Sequence, residues 1–168
     1  PNPRRRYLHS IILSTVALAL GLGLALILVG GLSWDVSAAP AQTTRYVDDD
    51  TGSDDSDCTA SGAPCQSIQY AVDQADPGDT VKVAGGTYTG VVARPVAALY
   101  PTLDLTDTIT RVVCVSKPLS IVGGYSPGDW GASDPVANPT VVDGEGEKGV
   151  MVIGGGVTVT LENVELVA

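Results

Sequence analysis

The sequence predicts an all-β domain of short stacked strands, entered through one short helix and preceded by an export leader. Three observations carry this. Residues 65–88 hold two periods back to back: Ile68, Ala71, Val72 and Ala75 fall at i, i+3, i+4 and i+7, one apolar helix face, and Thr80-Val81-Lys82-Val83 then alternates with period two. After Gly85-Gly86, strand-turn-strand units recur without any further helical period. The composition agrees, because Phe is absent, aromatics make up 5% and there are 20 Gly, which suits Val, Leu and Ile strands stacked with tight turns better than a large globular core.

Tyr46-Val47-Asp48, Gly52-Ser53-Asp54, the pair Cys58 and Cys65, Ser67 to Ala75, Gly78 to Val83 and Gly86 to Tyr88 follow one another along the chain. That succession resembles the start of right-handed parallel β-helix proteins of the pectin-lyase-like superfamily, many of them secreted or surface-attached bacterial proteins. The likeness continues through Ser116 to Tyr125, Val142-Asp143-Gly144 and Val157 to Leu166, so it covers nearly everything after residue 45. The resemblance implies a right-handed parallel β-helix, a solenoid, with the short helix capping its N-terminal end. It says less about activity, since one fold hosts many functions.

The chain opens with Arg4-Arg5-Arg6, an apolar run from Ile11 to Leu32, and Ser37-Ala38-Ala39-Pro40-Ala41. These are the basic, apolar and small-residue regions of an export signal, with Val36-x-Ala38 and Ala39-x-Ala41 as cleavage triplets. Signal cores run about 7–15 residues, whereas about 20 apolar residues span a bilayer as a helix, so this run also fits an uncleaved membrane anchor. In either case the basic end stays inside and the rest is sent outward. Residues 1–41 are therefore expected to be a signal peptide or transmembrane anchor, and residues 42–168 the cap and first coils of a truncated β-helix. His9, the chain's single His, lies in the leader, so the exported part has no imidazole for acid-base work or metal ligation.

Asp48 to Asp57 holds six Asp in ten residues around Gly52. Asp48, Asp50, Asp54 and Asp57 are hard oxygen donors of the kind calcium needs, but the closing Glu of an EF-hand is missing. The competing reading is a solvated turn whose Asp side chains cap backbone amides. In an exported chain, Cys58 and Cys65 read by default as a disulfide. Cys114 is left over in Val112-Val113-Cys114-Val115, on the face opposite Val113 and Val115, and reads as a packed, inert thiol.

Ser67 is placed to N-cap the helix and Pro77-Gly78 to end it. Ile68, Ala71, Val72 and Ala75 are expected to face the first coil, with Gln69, Asp73 and Gln74 outside. Val81 and Val83, then Val113, Val115, Leu119 and Ile121, then Val159, Leu161, Val164 and Leu166 form the inward-facing sets. Residues 89–111 interrupt the pattern as an excursion carrying Tyr100, and residues 123–138 form a turn-rich loop carrying Trp130. Each of these two aromatics is read either as a loop anchor or as a platform for stacking on a sugar ring.

The net charge of −10 argues against nucleic-acid partners, which an acidic surface repels. The function expected from the sequence is that of an exported or surface-attached repeat protein, structural, adhesive or carbohydrate-binding, with no active site in this segment. Its expected partners are a polysaccharide or cell-surface glycan and, through an uncleaved leader, the membrane. The alternative is the N-terminal part of a polysaccharide lyase or glycoside hydrolase. In families that the chain resembles, catalytic Asp, Arg or Lys residues and any calcium ligands sit on later coils.

Overall fold

A computed structural model describes residues 41–103, 105–146 and 149–168. The leader lies outside the described residues, and so does its expected signal or anchor helix. Among the described residues no helix is long and apolar enough to cross a membrane.

The elements, in chain order, are β1 (Thr44–Val47), α1 (Ile68–Gln74), β2 (Thr80–Ala84), β3 (Gly86–Tyr88), β4 (Val92–Pro95) and α2 (Val96–Leu99). They are followed by β5 (Thr108–Val115), β6 (Leu119–Tyr125), β7 (Thr140–Asp143), β8 (Gly149–Ile153), β9 (Val159–Glu162) and β10 (Glu165–Val167). The strands form three small sheets, ordered β1-β2-β6-β9, β10-β7-β3 and β4-β5-β8. The first two are parallel throughout, whereas in the third β4 runs antiparallel to β5 and β8 parallel to it.

This corrects the all-β, right-handed parallel β-helix solenoid expected from the sequence. The described chain is mostly β with two helical segments, and its strands divide into three small sheets, one of them mixed. The physical reason lies in the excursion. Val92–Pro95 folds back on Thr108–Arg111 with antiparallel pairing, and α2 follows at once with Pro95 as its N-cap. The pairing of β2 with β6 also slips in register between Lys82 and Ala84.

Period-two alternation places Val81, Val83, Val113, Val115, Leu119 and Ile121 in the core, together with Val47 and Val142. Helix α1 packs against β1, β2 and β5 through Ile68, Ala71 and Val72, which are buried. The Ser67 hydroxyl accepts from the Tyr70 amide at 3.2 Å and so caps the helix. Val159, Leu161 and Val164 are only partly buried against the core, and Leu166, expected inside, is 45% exposed.

Gln69 does not face outward as its position in the helical pattern suggests; it is 9% exposed. Its Oε1 accepts from the Cys114 amide at 2.6 Å, and its Nε2 donates to the Cys114 carbonyl at 3.3 Å. The side-chain amide thus pairs with β5 as a strand would, beyond the stretch that β4 covers. Val112 and Cys114, on the face away from Val113, are also buried where α1 packs against β5. The Cys114 thiol is free, and burial pushes it above its ordinary pKa.

Candidate functional site

Three of the four Asp residues with calcium-like spacing, Asp48, Asp54 and Asp57, have locally engaged carboxylates, whereas Asp50 is exposed and contributes only its backbone amide. Asp48 is 1% exposed; its carboxylate takes the Thr51 hydroxyl and, at 3.4 Å, the Asp50 amide. Asp54 accepts from the amides of Gln66 (2.8 Å) and Ser67 (3.0 Å) and from the Ser67 hydroxyl (2.7 Å). Asp57 accepts the Thr59 amide at 3.1 Å and hydroxyl at 2.8 Å, and these bonds hold its carboxyl below the usual carboxylate range. Among the described residues no group of three His, Cys, Asp or Glu could hold a metal ion. The same habit recurs along the chain, where Asp129, Asp134 and Asp143 each accept the amide two residues ahead. Such Asx turns lock loops without converging on a ligand.

Cys58 and Cys65 are joined in a disulfide, with their Cα atoms 5.2 Å apart, and both are buried. The bridge closes the acidic loop beside β1, where Tyr46 N donates to Cys58 O and Cys65 N donates to Tyr46 O, each at 2.9 Å.

Both aromatics considered for sugar stacking are held by the protein itself. The Tyr100 hydroxyl donates to the Ile153 carbonyl at 3.1 Å, which ties the excursion to β8. Trp130 meets Tyr46 edge-on, with ring centroids 5.0 Å apart, and Tyr125 at 6.0 Å. Lys82 Nζ donates to the Trp130 carbonyl at 2.7 Å and lies 4.7 Å over the Tyr125 ring. A cation already occupies this aromatic nest, so Trp130 anchors its loop to the four-stranded sheet. Its Nε1 is enclosed without a hydrogen-bond partner.

Two concavities with free polar groups lie elsewhere, between α1 and residues 87–94. One cavity of about 280 Å³ is lined by Asp49, Gln66, Thr87, Tyr88 and Thr89, with Ile68 and Val112 at its floor. A second, of about 260 Å³, is lined by Tyr70, Asp73, Val91, Val92 and Arg94, and shares Ser67, Gln69 and Gly90 with the first. The Thr87, Thr89 and Tyr70 hydroxyls make no hydrogen bond within the described protein. Burial, with the neighbouring charges of Asp50 and Asp48, raises the Asp49 carboxyl above its ordinary value despite backbone hydrogen bonds, including one with Thr87. Tyr88 donates to the Ala84 carbonyl at 3.1 Å, and burial together with the charge of Asp49 drives its phenol upward, so it stays protonated. Gly86 leaves room for the Asp49 carboxylate, which would have to move aside if a Cβ were added there. The second cavity ends in the Asp73–Arg94 ion pair.

Sequence reasoning passed over this groove. Its one local signal is the alternation in Gly86-Thr87-Tyr88-Thr89-Gly90, which turns Tyr88 inward and leaves two Thr hydroxyls outside. The approach of the excursion to α1 is tertiary and has no local signature. No protein-family model matches the chain, and neither does any curated protein or any solved structure.

Proposed function

We propose that the chain is an exported, surface-attached or secreted module with a structural, adhesive or carbohydrate-binding role, and that this segment performs no catalysis. The observation that carries the reading is how the acidic side chains are used. Asp48, Asp54, Asp57, Asp79, Asp129, Asp134 and Asp143 accept hydrogen bonds from nearby backbone amides, which holds turns and does not assemble an acid-base pair. An acidic sequence of this kind is then a consequence of many tight turns. The Cys58–Cys65 disulfide supports an oxidising location, since such bonds persist mainly outside the cytosol. The leader pattern points the same way.

Fractionation of bacterial cells expressing the full chain tests the export half of the reading. The expected result is protein outside the cytoplasm, or held at the membrane facing outward, with Cys58 and Cys65 oxidised. Incubation of the purified chain with pectin and alginate tests the other half, and neither unsaturated products nor new reducing ends are expected. Cytoplasmic retention with three free thiols, or turnover that survives repurification, contradicts it.

A further inference from the structure

We propose that the paired cavities between α1 and residues 87–94 bind a short neutral saccharide, one sugar ring to each cavity, with the Thr87, Thr89 and Tyr70 hydroxyls and the Asp49 carboxylate as its polar partners. The inference deepens the carbohydrate-binding part of the proposed function and rests on it. Pockets for drug-sized ligands run about 300–1,000 Å³, so cavities of about 280 and 260 Å³ each suit a single small ring. Apolar side chains line the groove, with Ile68 and Val112 in one cavity and Val91, 43% exposed, in the other. A pyranose presents a C–H face to such a surface and hydroxyls to the rim.

Charge selects the kind of sugar. Arg94 is the groove's cation, and it is already paired with Asp73. Asp49 adds a carboxylate crowded by Asp48 and Asp50. A uronate or sulfated glycan would bring a further negative charge to this place and be repelled. Sugar hydroxyls, in contrast, donate to a carboxylate and exchange hydrogen bonds with Thr and Tyr hydroxyls that the protein leaves unused.

Gly90 provides the test, because it lines both cavities and a Cβ on it meets nothing within 4 Å. Gly90→Leu places a bulky apolar side chain at the lining position common to both cavities, where its Cβ has room. Gly62→Leu is the control, at another glycine whose Cβ meets nothing, in the disulfide loop. The ¹⁵N-labelled full chain is titrated with cellotriose, maltotriose, xylotriose, trigalacturonate and trilysine while its amide shifts are followed. The expected result is that a neutral trisaccharide shifts amides at 66–73 and 87–94. Those shifts vanish in Gly90→Leu, persist in Gly62→Leu and weaken in Thr87→Val with Thr89→Val, with the melting temperature unchanged in all three. The proposal is overturned by shifts that persist in Gly90→Leu, by trigalacturonate or trilysine being the ligand that occupies the groove, or by no trisaccharide binding. Each of those outcomes leaves export and the lack of turnover standing, since fractionation and the pectin and alginate assays read them separately.

Discussion

Asp79 is 1% exposed, and its carboxylate accepts from four donors. The Thr43 and Asp76 amides each donate at 2.8 Å, and Arg45 donates through Nε at 3.3 Å and Nη2 at 3.1 Å. Arg45 also donates to the Asp57 carbonyl at 2.6 Å, so one buried pair ties the start of β1, the turn after α1 and the acidic loop together. Burial alone would raise the Asp79 carboxyl, but the two amides and the guanidinium outweigh it and hold the carboxyl below its ordinary value. A lowered carboxyl contributes stability that is present above the unfolded pKa of about 3.9 and is lost as pH falls through the folded value. Asp79→Asn should therefore cost ~3–5 kcal/mol in urea unfolding at pH 7, because it strands the buried Arg45 charge. The deficit should shrink as the pH drops below about 4. A pH-independent loss of under about 1 kcal/mol would show the pair to be incidental. With the carboxylates of Asp48, Asp54 and Asp57 engaged locally and only that of Asp50 left over, calcium and magnesium at equal millimolar concentration should raise the melting temperature equally. A calcium-specific rise lost in Asp54→Ala would show a site that the local bonds conceal.

At the scale of elements, α1 was legible because its signals are local: the apolar face, the Ser67 cap and the Pro77-Gly78 stop all lie within eleven or so residues of one another. The role of Gln69 was not legible, since a polar residue off the apolar face reads as solvent-facing and its partner, Cys114, is 45 positions away. Gln69→Ala should cost about 1–3 kcal/mol by leaving the buried Cys114 amide unpaired, against a few tenths for Gln74→Ala on the exposed face. Equal, small effects of the two would mean that β5 does not need the side chain. The disulfide should contribute about 2–3 kcal/mol by closing its short loop. Thiol counting under denaturing, non-reducing conditions should return one group per chain, Cys114. A count of three would refute the bridge.

Across the whole molecule most strands were readable, but β4, α2 and the start of β5, all inside the stretch read as an excursion, were not, and neither was strand arrangement. Period two marks where Val81, Val83, Ile121 and Val142 face inward, but Val92-Ala93-Arg94-Pro95 contains nothing that sets its direction against Thr108–Arg111. The antiparallel return, the mixed third sheet and the groove beside α1 all follow from how residues 89–107 fold back. The candidate site was correspondingly hidden. Residues chosen for their chemistry in sequence, Trp130, Tyr100 and the Asp run, serve as anchors and turn locks, while modest Thr and Tyr hydroxyls remain free. Carboxyl ¹³C shifts followed through a pH titration of the full chain test most directly whether the acidic side chains are structural acceptors that act one by one. Asp57 and Asp79 should titrate in single steps below the ordinary Asp value and Asp49 in a single step above it. Two carboxyls sharing a two-step titration, the mark of a coupled pair poised for proton transfer, would contradict it.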